Sequence, residues 1–156
     1  MASILAKKHA VALYVRNPEL AADLRRERQN VRYLPGVSLP DNLRVVDRLE
    51  PALEQAKIVV VATPSHGVRA AARALAGLLP SDCVIVSAAK GLEVGSCLRM
   101  TEVLAQELPA FAGRIAALSG PNHAEEVGRK IPSATVVGCA DRSLAEVVQD
   151  AFMTPY

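Results

Sequence analysis

Short unbroken runs of aliphatic residues, separated by stretches with helical spacing, constrain this chain more than any other feature. Ile58–Ala62 (IVVVA) and Cys83–Ser87 (CVIVS) show no polar alternation. A strand with one wet face alternates, whereas a strand covered on both faces reads as a continuous β-branched run. Ala10–Val15 is another short apolar run, Ile115–Ser119 and Ala134–Cys139 also read as strands, and Leu43–Val46 as a weaker one. Between them lie helical segments at Leu20–Arg28, Leu49–Gln55, Leu98–Leu108, Asn122–Arg129 and Leu144–Phe152. A further helix runs from a Ser65 cap through RAAARALAGLL to Pro80. Residues 30–42 hold Pro35, Gly36 and Pro40 with few periodic apolar positions, and form a loop. Strands that alternate with helices imply right-handed crossovers and a doubly wound α/β fold with a mainly parallel sheet.

Composition narrows the partners. With no Trp and few Phe or Tyr, the core must be built from Ala, Val, Leu and Ile. A net charge of +2, spread without long runs of either sign, makes no electrostatic case for nucleic acid or an acidic membrane. No apolar run approaches the ~20 residues that span a bilayer. In the opening MASILAKKHAVALYV the basic pair follows Leu5 and Ala6 rather than preceding the apolar stretch, and no cleavage region follows. The expected location is the cytoplasm. Cys83, Cys97 and Cys139 lack CxxC spacing, so reduced thiols are expected and no metal site.

In an open parallel sheet, ligands lie beyond the carboxyl ends of the strands. That rule selects Arg16-Asn17, Thr63-Pro64-Ser65, Ala88–Glu93 and Gly120–Glu126. Lys90, just past a buried strand, can bind a phosphate or polarise a substrate oxygen, or be a solvated loop lysine. Gly120-Pro121-Asn122 leads into a short helix whose first N–H groups suit an anion, or is an ordinary helix start capped by Asn122. Glu125 and Glu126 suit the positive end of that helix without any catalytic role. Arg16 stands where an acidic residue would select NAD; it can pair a ribose 2′-phosphate, or be simply exposed. His9, His66 and His123 have no acidic partner at a useful spacing and form no acid–base constellation.

Four blocks occur in order: Asn30–Gly36 (NVRYLPG), Val61–Ser65 (VATPS), Ser87–Glu93 (SAAKGLE) and Leu118–Val127 (LSGPNHAEEV). They resemble bacterial-type NAD(P)-dependent glycerol-3-phosphate dehydrogenases over essentially the whole length, and the KGLE block with the SGPNHAEE block is the specific combination. The resemblance implies a Rossmann-like domain binding NAD or NADP, and interconversion of sn-glycerol 3-phosphate and dihydroxyacetone phosphate for phospholipid synthesis. It assigns Lys90 to both cofactor and substrate, and Gly120 and Asn122 to the substrate. Arg16, Asn17, Tyr33 and Ala124 fall at the cofactor. Asn122 departs from the family's commoner Ser or Thr.

The same resemblance sets expectations about the ends. The family's first strand and glycine-rich phosphate loop would precede residue 1, since Met1–Ala6 reads as the following helix. A helical C-terminal substrate domain, with the base lysine, would follow Tyr156. On this reading residues 1–156 are an incomplete NAD(P)-binding domain, inactive alone, aggregation-prone, and a homodimer only as the full-length protein. The competing readings are a non-catalytic nucleotide-binding or interaction module derived from a dehydrogenase, and another dehydrogenase that shares the architecture.

Overall fold

The aliphatic runs become strands. A computed structural model describes residues 1–155, with β1 at Val11–Tyr14, β2 at Leu43–Val46, β3 at Ile58–Val61, β4 at Val84–Ser87, β5 at Ile115–Ser119 and β6 at Val136–Cys139. The helices are α1 (Ala2–Leu5), α2 (Pro18–Glu27), α3 (Glu50–Leu53), α4 (Val68–Leu75), α5 (Met100–Glu107), α6 (Ala124–Gly128) and α7 (Arg142–Phe152). The described residues divide into two units. One comprises Met1–Ala52, Pro121–Ala134 and the chain from Ala151 onward; the other comprises Leu53–Gly120 and Thr135–Asp150.

In the first unit β1 and β2 pair in parallel, Val11 opposite Leu43 through Tyr14 opposite Val46. The ladder runs one residue further, since the Val15 N–H donates to the Val46 carbonyl at 2.8 Å. Ala21 and Leu24 are three apart on α2, so both turn inward. They join Ala6, Val15, Leu43 and Val45 in one buried cluster. Pro18 supplies the pre-set first helical position, and the Asn17 side-chain oxygen accepts the Leu20 N–H at 3.0 Å. The helix ends at Arg28 in the left-handed region, φ +50°. Its guanidinium is anchored to the carbonyls of Leu43, at 3.1 Å, and Pro40.

The second unit holds a four-stranded sheet in the order β3-β4-β5-β6. The first two pairings are parallel and β5–β6 is antiparallel. β4, flanked on both sides, is buried at every residue. The unbroken run in β3 predicts the same, yet Ile58, Val59 and Val60 are only half-buried. The reason is position: β3 is an edge strand, paired only with β4 among the described residues. Val68, Ala72 and Leu75 form the inner stripe of α4, and Met100, Val103 and Leu104 that of α5. These two helices pack together, and α5 also packs on β5.

Among the helix boundaries that differ from those read in the sequence, three bear on caps and stops. Ser65 does not cap a helix: Ser65–Gly67 is a 3-10 turn, and α4 starts after it with no side-chain cap. That helix stops at Leu75 rather than Pro80, because Ala76 turns extended and Gly77 takes φ +79°. A left-handed glycine just past the last turn is a common helix stop. In α6 the capping position falls on His123 and not Asn122, and no side chain caps it.

Candidate functional site

Arg16, Asn17, Lys90 and Gly120 follow strand ends, as chain direction in a parallel sheet requires, whereas Tyr33 and Ala124 do not. In the first unit Arg16 and Asn17 are exposed just beyond β1. The side-chain oxygen of Asn17 is engaged in capping α2, so its amide N–H groups are what it can offer a ligand. Tyr33 sits in the loop after α2, its N–H donating to the Asn30 side-chain oxygen at 3.1 Å. Its ring is 60% exposed and covered on one face by the Arg32 guanidinium, 5.1 Å from the ring centroid. A planar cation on an aromatic ring is an arrangement suited to stacking a heterocycle.

Asn122 and Ala124 belong to the same unit, Asn122 half-buried ahead of α6 and Ala124 exposed at its first position. At the other end of α6, a Cβ on Gly128 would lie 2.8 Å from Val37 Cγ2 and 3.6 Å from Leu34 Cδ1. Only a glycine lets this helix approach the loop that carries Tyr33 so closely.

Lys90 and Gly120 belong to the second unit, and the structure brings them together. Ala88 continues β4 by donating its N–H to the Val61 carbonyl at 2.9 Å. The chain then turns out through exposed Lys90 and Gly91, the latter at φ +96°. The ammonium of Lys90 donates to the Gly120 carbonyl at 2.8 Å, where β5 ends and the backbone takes φ +145°. A cation is thus held at the carboxyl ends of two adjacent parallel strands, where it can orient a phosphate or a hydroxyl oxygen.

Behind Lys90 lies an ion-pair network whose roles sequence reasoning missed. Glu93, in the same loop, takes both arms of the Arg69 guanidinium: Nε to Oε1 and Nη2 to Oε2, each 2.7 Å. The Ser96 hydroxyl donates to Glu93 Oε2 at 2.6 Å. Arg69 also bonds Gln106 at 2.9 Å and pairs with Glu107, which in turn receives Arg73 at 3.0 and 3.1 Å. The Arg69 fork, aided by Ser96, holds the Glu93 carboxyl down at about 2, and Arg73 with Arg69 lowers that of Glu107. Arg69 and Glu93 are 24 residues apart, and no spacing rule joins them.

Among the described residues no group of three or more His, Cys, Asp or Glu side chains could hold a metal ion. His9, His66 and His123 are all exposed and fall in different segments. One buried polar atom stands without a partner among the described residues, the Ser87 hydroxyl at the end of β4. No helix among the described residues is long and apolar enough to cross a membrane.

Comparisons with known proteins converge on one family. Residues 1–145 match the profile of the NAD-dependent glycerol-3-phosphate dehydrogenase N-terminus. The chain is 47% identical over 156 residues to the glycerol-3-phosphate dehydrogenase [NAD(P)+] of Chlorobium luteolum, covering 99% of this chain and 47% of that one. Against the Moorella thermoacetica enzyme of the same name it is 47% identical, covering 99% of this chain and 46% of the relative. It therefore spans about half the length of the curated relatives it matches. The crystal structure of the Coxiella burnetii glycerol-3-phosphate dehydrogenase superposes with a TM-score of 0.88 at 26% identity, over 98% of this chain and 46% of that one. The mainly parallel α/β arrangement is accordingly the Rossmann type of these dehydrogenases. The chain belongs to the NAD-dependent glycerol-3-phosphate dehydrogenase family and corresponds to its N-terminal part.

Proposed function

We propose that this chain is the cofactor-binding portion of an oxidoreductase that interconverts sn-glycerol 3-phosphate and dihydroxyacetone phosphate with NAD or NADP. The observation that carries the reading is the Lys90 ammonium held 2.8 Å from the Gly120 carbonyl at the carboxyl ends of β4 and β5. In that position Lys90 binds the phosphorylated substrate and meets the cofactor, with Gly120 and Asn122 as further substrate contacts. The residues of the first unit fit the adenosine end of a dinucleotide. Arg16 pairs a 2′-phosphate, Asn17 offers amide N–H groups, and the Arg32-covered Tyr33 ring offers a stacking face, with Ala124 on α6 as a further cofactor contact. With no carboxylate at Arg16 or Asn17, NADP is accepted as well as NAD.

When bound, the nicotinamide supplies the hydride acceptor or donor. The chain's own residues bind and orient. The proton of the substrate hydroxyl is taken by a lysine in the helical C-terminal domain of the complete enzyme. The product feeds glycerophospholipid synthesis in the cytoplasm, and the complete enzyme works as a homodimer without nucleic acid or membrane. The dispersed charge of +2 supports the last point, and the homodimer rests on family resemblance.

The test is Lys90→Ala in the complete enzyme, followed by NAD(P)H-dependent reduction of dihydroxyacetone phosphate. Loss of an ammonium bound to a phosphate or reacting oxygen should lower kcat/KM by about 10²-fold or more. An unchanged kcat/KM removes Lys90 from the site.

A further inference from the structure

We infer that Arg69 and Glu93 are positioning residues that clamp the loop carrying Lys90, an inference that rests on the reading of Lys90 given above. Between the end of β4 at Ser87 and the start of α5 at Met100 the chain has no regular element. Several of its backbone conformations lie in the left-handed region, at Gly91 (φ +96°), Gly95 (φ +92°) and Cys97 (φ +57°). The glycine directly after Lys90 has a wide range of backbone conformations open to it, so local preference alone does not set the course of the loop there. Burial does little to fix the part of the loop that follows Lys90, where Leu92 and Val94 are 54% and 92% exposed.

What fixes it converges on Glu93. Its backbone N–H donates to the Leu98 carbonyl and its carbonyl accepts the Cys97 N–H, both at 2.9 Å, closing the loop on itself. The carboxylate takes the Ser96 hydroxyl and the two-armed bond from Arg69. Arg69 sits on α4, and its remaining bonds reach Gln106 and Glu107 on α5. One guanidinium therefore ties the loop to two helices packed on each other. The pair is also withdrawn from solvent, at 25% and 18% side-chain exposure, against 68% and 55% for the surface pair Arg26–Asp23. A two-armed Arg–carboxylate bond sets orientation as well as distance. Three residues from this anchor, Lys90 reaches the Gly120 carbonyl, so the loop is held at both ends of the segment that presents the ammonium.

If the clamp acts through Lys90, breaking it should weaken substrate binding only while Lys90 is present. In the complete enzyme carrying this chain, the dissociation constant of dihydroxyacetone phosphate is measured by equilibrium titration of the enzyme–NAD+ complex, in which both partners are oxidised and no hydride can transfer. Parent, Glu93→Gln, Arg69→Lys and Lys90→Ala are compared, with the two double variants on Lys90→Ala. Glu93→Gln keeps the shape and loses the charge; Arg69→Lys keeps the charge and loses the fork. Each should weaken binding about ten-fold in the parent, as a displaced contact group does, and add nothing on Lys90→Ala. Losses of equal size in both backgrounds, or none in the parent, overturn the clamp while leaving Lys90 in place. Unchanged affinity in Lys90→Ala alone overturns the reading of Lys90, and the clamp's role with it. Should Glu93→Gln fail to fold, Arg69→Lys carries the same comparison.

Discussion

Gly128→Ala sets two familiar effects against each other at a defined distance. Alanine in a helix is favoured over glycine by about 0.5–1 kcal/mol, and on an open surface the substitution would stabilise α6. Here the added carbon would stand 2.8 Å from Val37 Cγ2. Carbon contacts are best near 3.5–4.0 Å, so the overlap is roughly 0.7 Å or more. Val37 is short and β-branched, with one stiff torsion and little room to swing away. Overpacking of this kind costs about 1–3 kcal/mol, which exceeds the helix gain. The expected net loss is about 0.5–2 kcal/mol, or a Tm lowered by about 2–4 °C per kcal/mol for a chain of this size. In a Val37→Ala background the overlap is gone, and the same substitution should become neutral or stabilising by up to about 1 kcal/mol. Thermal unfolding of the four chains followed by circular dichroism measures the cycle. A Gly128→Ala chain that melts above its parent refutes the steric argument, as does an equal loss in both backgrounds.

Other sites give sharper signs. Asn17→Ala removes the α2 cap and should cost about 1 kcal/mol in urea denaturation, while Asn17→Ser should recover most of it. Ser87→Ala deletes a buried hydroxyl without a partner among the described residues, so stability should be unchanged or rise by about 1 kcal/mol; a loss of that size would reveal a bridging water. The Glu93 carboxyl is depressed from 4.5 to about 2, so the folded state favours its ionised form. Its contribution is complete above pH 4.5 and disappears as pH falls towards 2, and Glu93→Gln should flatten the acid limb of the stability profile in that window alone. An acid limb of undiminished slope in the variant would mean that other carboxyls dominate.

Much of this fold is legible in the chain because burial writes itself as hydrophobic runs. Leu43–Val46 and Ile115–Ser119 occupy their expected bounds. Some misreadings arise because the deciding partner lies elsewhere in the chain. Ile58–Val61 looks like an interior strand, and nothing within the run says that it pairs on one side only. The end of α4 is a local matter that was overlooked: Gly77 was visible, but the apolar Leu78-Leu79 beyond it suggested a longer helix. At the site, Lys90 and Gly120 were found separately by the strand-end rule, and their contact follows from β4 and β5 being neighbours. Glu93 stood in the KGLE block without a role, because its partner on α4 is distant in sequence and arginines there look like an ordinary solvated face.

The burial gradient across the four-stranded sheet has a consequence for motion. β4 is wholly buried and β5 nearly so, while β3 and β6 are only partly covered. Backbone opening free energies rise with burial and with pairing on both sides, so amide hydrogens of Ile85, Val86 and Ala116 should exchange only through the largest openings of this unit. Those of the outer strands should exchange through smaller fluctuations. Lys90 and Gly120 both extend from the slow pair. The spacing between a cation and a carbonyl would then persist through the breathing of the sheet's margins, with loop fluctuations displacing the two groups against a quiet background.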